Sequence, residues 1–384
     1  SLRPAPPGDS SNMVTAIVTS EREVMFKSYK RLDPHNREPT ILERLHRRRF
    51  PHVPPYLGKV SMGRGRDRLV LGVATERVDA SDAFLWLTEG WSAELSLPAQ
   101  APSNFEETSL RFADDLGEAT AALHEALVDR KPGRFQIESF SRADAQATYR
   151  SAMSNFANVL RSLARFSRKG VPEISDLAHR SRTILFDHRK SIEAVLASLH
   201  MSVGTPKTVT HGDLHLGQVL RSLSHGTLYF VDFEGEPDRA PGARSPKLPP
   251  LRDVATMNRS FAYVNQAVRR SFGRRGRIIL PGTPLTESQW LENGTWAARL
   301  DQWETAAVTR FSRRYMSRSS LYPTMDIDDA LRIVRGWMME KAIYELRYEL
   351  THRPANFPIP LEGILALASG DRADAQNAPG SRSR

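Results

Sequence analysis

Apolar and polar positions divide the chain into two regimes. Over residues 12–78, short apolar runs at 14–18, 24–26 and 69–73 alternate with polar turns, the spacing of strands in a small sheet. One amphipathic stretch at 39–48 predicts a helix among them. The polar turn at 63–68 reads as a hairpin, because it lacks the glycine spacing of a phosphate-binding loop. From residue 103 onward, apolar positions recur every three or four residues and predict helices over 105–128, 142–167, 174–200, 253–270, 287–316 and 326–351. Two runs interrupt that half, 208–210 and 228–231, and predict strands on either side of a loop. The pattern predicts an α+β chain with a small β-rich part and a large helical part. Pro237, Pro241, Pro246, Pro249 and Pro250 predict a connecting loop over 236–250, and the polar stretch 370–384 predicts disorder. The expected boundaries are 1–78 for the small lobe, 79–368 for the helical lobe and 369–384 for a disordered tail.

Composition narrows the possibilities. The 384-residue chain has no cysteine, which excludes disulfides, thiolate metal sites and a cysteine nucleophile. No apolar run is long enough to span a bilayer and the opening SLRPAPPGDS has no hydrophobic signal core, so a cytoplasmic protein without membrane contact is expected. The net charge of +10 raises the question of nucleic acid, but the basic clusters at 46–49, 269–270 and 274–277 are not interleaved with stacking aromatics. They read as solvated faces, and no nucleic-acid partner is expected.

Chemistry concentrates in two segments, HGDLHLGQVL (His211–Leu220) and VDFEGEP (Val231–Pro237). Moving a terminal phosphoryl group requires an acceptor hydroxyl beside an orienting carboxylate, and a hard cation to neutralise charge. Asp213 suits the first task. Gln218 offers a side-chain oxygen to a cation, Asp232 a carboxylate at a strand end, and Glu234 a second carboxylate on the same edge. The flanking runs form a strand–loop–strand unit, and a hairpin would bring the two acids together. His211 and His215 stand four apart but lack a third nitrogen or thiolate nearby, which argues against zinc and leaves magnesium as the expected ion.

These two segments resemble the catalytic loop and metal turn of the aminoglycoside phosphotransferase-like kinases. Gln218 stands where that family usually has Asn, and HGDxHLGQ with DFEGEP is similar to bacterial maltokinases and the related actinobacterial glucosamine kinases. The resemblance extends in segments from Ser11 to Leu365 and implies a two-lobed protein-kinase-like fold that uses ATP and Mg2+. Within it, Lys27 of VMFKSYKRL would hold the α- and β-phosphates, with Glu38 as its ion-pair partner and Glu43 the alternative. Ser11 and Asn12 match the turn that covers the phosphates. The stretch ATERVD resembles the interlobe hinge, where backbone groups of Glu76 and Val78 would pair with adenine.

On the acceptor side, WMMEKAIYELRYELTHRP places Lys341, Tyr344, Glu345 and Tyr348 at helical spacings, giving a polar aromatic face of the kind a sugar site uses. The stretch resembles the one that closes the maltokinase acceptor pocket, with Arg353 at its end. By the same resemblance His211 lies beside the acceptor, and Arg252 and Asp253 would position sugar hydroxyls, although Asp253 could equally cap a helix. Trp303 and Glu304 are weaker candidates. The expected activity is phosphorylation of a sugar hydroxyl, with maltose to maltose 1-phosphate the best match. One alternative is an aminosugar or aminoglycoside acceptor, which would need Glu304, Glu345 and Glu349 near Asp213; another is a nucleotide-binding module without turnover. Maltokinases carry an N-terminal cap before the phosphate hairpin, and the sequence here starts about ten residues ahead of it, so the expectation is either a truncated sequence or a relative without the cap; 131–208 matches little.

Overall fold

The computed structural model describes residues 2–4, 12–63, 65, 69–97, 103–169, 172–236, 247–272 and 287–376. Five strands form one antiparallel sheet: β1 (Leu2–Pro4), β2 (Met13–Val18), β3 (Glu23–Ser28), β4 (Tyr56–Met62) and β5 (Leu69–Glu76), in the order β1-β2-β3-β5-β4. The register sets Lys27 on β3 opposite Val14 and Val73. Helix α1 (Glu38–Arg47) crosses between β3 and β4, with Pro39 in its first turn and Ile41, Leu42 and Leu45 buried. Strand β4 escaped the sequence reading because it is an edge strand with exposed Leu57, Val60 and Met62, which blurs the alternation.

After β5 the chain forms β6 (Ala80–Asp82) and turns into α2 (Ala83–Ser96), whose N-cap Asp82 accepts a bond from the Leu85 amide. Apolar residues surround nearly all of α2, so its period is hidden. Helix α3 (Phe105–Ala126) follows, then β7 (Glu138–Ser139) and α4 (Arg142–Lys169). The helix expected over 174–200 is instead α5 (Pro172–Asp187), α6 (Arg189–Ala197) and a 3-10 turn, Ser198–Ser202. The break falls at His188, whose ring nitrogen and backbone amide both meet the Ile184 carbonyl, at 2.9 and 3.0 Å.

Strands β8 (Pro206–Lys207), β9 (Val219–Ser222) and β10 (Leu228–Phe230) precede α7 (Leu251–Phe272), α8 (Glu287–Arg318), α9 (Ile327–His352) and α10 (Pro358–Gln376). The expected hairpin is corrected here. The partner of β10 is β9, immediately after the loop, and β9 also pairs with β6; Thr208 makes only an isolated bridge to Leu248. The tail expected to be disordered from 369 is helical as far as Gln376, and the remainder lies outside the described residues. So do most of the predicted loop at 236–250, part of the turn at 63–68, and Ser11.

The architecture is a two-lobed α+β fold. Trp91, Trp303, Phe261 and Phe311 build an aromatic core in the helical lobe, with Trp91 and Trp303 5.2 Å apart and both fully or almost fully buried. Gly117 permits the close packing of α3 on α8, since a Cβ there would lie 2.6 Å from the Phe311 carbonyl oxygen. This rigid helical body supports α7 and α9, which flank the loop that carries Asp213.

Candidate active site

Lys27 projects from β3 into a group of acids. Its ammonium lies 2.7 Å from Asp232 Oδ1, 2.9 Å from Glu38 Oε2 and 3.6 Å from Glu234 Oε1. Glu43, the alternative partner, pairs instead with Lys59 at 2.7 Å. Burial by itself would lower the basicity of Lys27, but Glu38, Asp232 and Glu234 outweigh it and hold the ammonium above its usual range. Glu38 also accepts bonds from the Tyr29 hydroxyl at 2.7 Å and the Phe233 amide at 3.2 Å. Its carboxyl is raised by that burial, against the pull of Lys27. Asn12 bonds both oxygens of Glu234 at 3.0 Å and accepts from the Lys30 amide at 3.3 Å, so it joins the start of β2 and the end of β3 to the turn that carries Asp232.

Asp232 sits just past β10 in the left-handed backbone region, φ 64°, a conformation that Asp and Asn tolerate better than other side chains. Burial favours its neutral form, yet Lys27 holds it below the usual carboxylate range. Gln218, ahead of β9, places its side-chain nitrogen 3.3 Å from Asp232 Oδ2; half a turn about its last bond presents the oxygen instead.

The loop bearing Asp213 is held by residues that sequence reasoning missed. The buried Arg37 guanidinium, preceding α1, donates to the carbonyls of Thr210 and His211 and, at 3.1 Å, to that of Phe233. Burial brings it down to about 10, so it stays charged at neutral pH. Gly212 makes room for it: at φ 85° a Cβ would lie 2.7 Å from the Arg37 guanidinium. From the other side Asp253, fully buried in the first turn of α7, accepts from the amides of His211 at 2.7 Å and Gly212 at 3.0 Å. It also meets His124 Nε2 at 3.1 Å, and His124 Nδ1 meets the Tyr315 hydroxyl at 2.9 Å. Burial would raise the Asp253 carboxyl, but the bond from His124 and the other partners keep it low.

Several acceptor expectations are corrected by burial. His211 is fully enclosed, its Nε2 against the Val231 carbonyl at 2.9 Å and its ring against Phe233; burial depresses its basicity. Asp253 braces the loop and reaches no open surface. Arg252, 1 % exposed, pairs with Glu236 at 2.8 Å and Glu340 at 3.4 Å and donates to the Gly212 carbonyl at 3.3 Å. Trp303 is a core residue bonded to Ser109, and Glu304 accepts from Asn265 at 2.7 Å.

Of the α9 candidates, Lys341 reaches the loop. Lys341 lies 3.0 Å from Asp213 Oδ1 and 2.9 Å from Glu236 Oε1. Burial would lower its basicity, but Asp213, Glu236 and Glu345 hold it well above the usual lysine range. Tyr344 and Tyr348 stack with centroids 6.5 Å apart at 19°. Glu345 is bound by Arg259 at 3.0 Å, and Arg353 pairs with Glu349 at 2.9 Å while lying over the Tyr348 ring. Glu236 could have been noticed as the third acid of DFEGEP. Arg37 and His124 left no comparable signal, because a single buried polar residue does not alter an apolar period.

Glu76 and Val78 lie where the sheet gives way to β6. The Glu76 amide donates to Pro55 at 2.8 Å, and both residues line a cavity of about 480 Å³ with His46, Arg49, Tyr56 and Tyr229. A magnesium ion fits the acidic end of the site: Glu38, Asp232 and Glu234 each offer an oxygen within 4.8 Å of the others. Asp232 and Glu234 are the more accessible of the three, with side chains 32% and 14% exposed against 3% for Glu38, although Lys27, Gln218 and Asn12 already bond them.

A strand lysine paired to a helix glutamate, above a braced loop and a hairpin ending in Asp232, on a sheet ordered β1-β2-β3-β5-β4, defines the protein-kinase-like class. Residues 5–235 match the model of the phosphotransferase enzyme family (APH), and the chain belongs to that family. It is 40% identical over 84 residues to a glucosamine kinase of Mycolicibacterium smegmatis, a match covering 22% of this chain and 21% of that protein. To a glucosamine kinase of Streptacidiphilus jiangxiensis it is 29% identical over 165 residues, 42% of this chain and 32% of that one. These matches therefore span a third or less of the curated relatives' own lengths. A solved glucosamine kinase in complex with glucosamine, ADP and inorganic phosphate superposes with a TM-score of 0.68 at 21% identity, over 96% of this chain and 79% of that one, which establishes the shared fold.

Proposed function

We propose that the chain is an ATP- and magnesium-dependent kinase that phosphorylates a sugar hydroxyl. The observation that carries this reading is the arrangement around Asp232, where Lys27 and Gln218 converge, while Asp213 stands on the adjoining loop with Oδ1 bonded to Lys341 and Oδ2 without a hydrogen bond among the described residues. Lys27 holds the phosphates of the nucleotide, and Asn12 sets the hairpin above them. A magnesium ion held by Gln218, Asp232 and Glu234 would neutralise phosphate charge. Asp213 accepts the acceptor's proton as its oxygen bonds to the terminal phosphorus and ADP leaves with the electrons of the broken P–O bond.

The acceptor is a neutral sugar, with maltose the leading choice. An ammonium, Lys341, already occupies the position beside Asp213, and the nearby acids Glu345 and Glu349 are bound by Arg259 and Arg353. A cationic acceptor would have to displace these partners, whereas the half-buried Tyr348 ring, backed by the buried Tyr344, suits the apolar face of a pyranose. A second reading, glucosamine, is supported by the named activity of the relatives.

Following ADP release with Mg-ATP and a panel of maltose, glucose, glucosamine and an aminoglycoside separates these readings. Preference for glucosamine over maltose would overturn the neutral-acceptor choice. Asp213→Asn should lower turnover by about 10²- to 10⁴-fold with ADP binding intact; undiminished turnover would remove the assigned base.

A further inference from the structure

Two cations from the helical lobe grip the loop, and they share one carboxylate. Arg252 of α7 and Lys341 of α9 both bind Glu236, at 2.8 and 2.9 Å, and Glu236 has no exposed side-chain surface. Arg252 then reaches the Gly212 carbonyl at 3.3 Å, and Lys341 reaches Asp213 Oδ1 at 3.0 Å. The Lys341 side chain is only 9% exposed, so its bond to Asp213 is little weakened by solvent. The two oxygens of Asp213 are thereby made unequal. Oδ1 is engaged by a buried charge-assisted bond, while the nearest ionisable partner of Oδ2 is His215 Nε2 at 4.0 Å, beyond hydrogen-bond length.

We infer that Lys341 is a positioning residue that fixes the Asp213 carboxylate with Oδ1 turned inward and Oδ2 presented to the acceptor hydroxyl, and that Glu236 ties this orientation to the metal turn. Glu236 lies two residues after Glu234, so a shift of the metal turn moves the anchor of Lys341 and, through it, the proton-accepting oxygen. Of the three ammonium donors, two are occupied within the protein. The loss on removing Lys341 therefore falls on the chemical step more than on sugar affinity. This inference rests on the reading of Asp213 as proton acceptor.

The test is a comparison of wild type, Lys341→Met and Asp213→Asn at saturating Mg-ATP, with the acceptor varied and with ADP binding and thermal melting measured in parallel. In Lys341→Met, kcat should fall about 10- to 100-fold, the cost of a base misplaced by about an ångström. The acceptor KM should stay within about threefold and ADP binding should be unchanged, the pattern of an interaction that counts only in the transition state. A large rise in acceptor KM at preserved kcat would overturn the inference and make Lys341 a sugar ligand. Should the methionine variant not fold, Lys341→Gln, which can still donate to Glu236 but loses the charge on Asp213, is held to the same criterion. Wild-type turnover in Asp213→Asn would instead defeat the underlying reading, a result distinct from either Lys341 outcome.

Discussion

Lys27 is where the sheet, α1 and the metal turn meet, since its ammonium contacts acids from the last two. Lys27→Met keeps the side chain's bulk and removes the ammonium that lies among Glu38, Asp232 and Glu234. It should raise the KM for ATP and lower kcat/KM by about 10²-fold, the usual loss on removing one preorganised donor to a charged group. ADP binding and turnover equal to wild type would remove Lys27 from the nucleotide site. The pairing of Lys27 with Glu38 was expected from the family resemblance, with Glu43 as rival, and Asp232 and Glu234 were singled out by a short motif, but their meeting with Lys27 was not read because it joins segments some two hundred residues apart. The positions of His211, Arg252 and Asp253 were misread. Each is polar and adjoins a motif, but burial and ion pairing decide whether such a residue touches substrate or supports the one that does, and neither is encoded locally.

At the level of elements, the long periodic helices were legible to within a few residues except the one expected over 174–200, which is broken at His188, and α2, α10, β4 and β9 were not. Helix α2 lacks a polar face to define its period, and β9 is short and embedded in a loop motif, so pairing with β6 and β10 fixes it as a strand. The element that governs the loop is α7. Its first turn carries both Arg252 and Asp253, and Asp253 satisfies two loop amides that would otherwise be buried without acceptors. Asp253→Ala should cost about 3–5 kcal/mol, the range for removing one partner of a buried charged network, measured by urea unfolding with His124→Phe as a comparison. A loss under about 1 kcal/mol would show that the loop holds its shape without α7.

For the whole molecule, stability should depend on pH through α10. Glu362 lies against Gln266 of α7, and burial pushes its carboxyl up from 4.5 to about 7, with Arg269 and Arg270 opposing. A carboxyl raised on folding takes up a proton as the chain folds. Its stabilising contribution is therefore complete below pH 4.5 and is lost as pH rises through about 7. Glu362→Gln should remove about 1–3 kcal/mol of that pH dependence, seen as a smaller change in unfolding free energy between pH 5 and pH 8 than in wild type. Identical pH profiles would mean that Glu362 is ionised in the fold. The fold class itself was legible from the order of elements, strands first and helices after, with the catalytic segments between helices.

Arg37 has a mechanical consequence for this architecture. Its guanidinium, rooted just before α1, is fastened to the loop that carries Asp213 and to the turn that carries Asp232, in a socket that Gly212 leaves open. At this point the two lobes are riveted, and α1, the loop and the turn form one solid piece that spans their boundary. Motion of one lobe against the other should then leave this piece intact and fall in the stretch between β5 and β6, since Asn12 also ties the β2–β3 hairpin to Glu234. The molecule would open as a jaw does, with its joint behind the teeth and the gape confined to the outer rim.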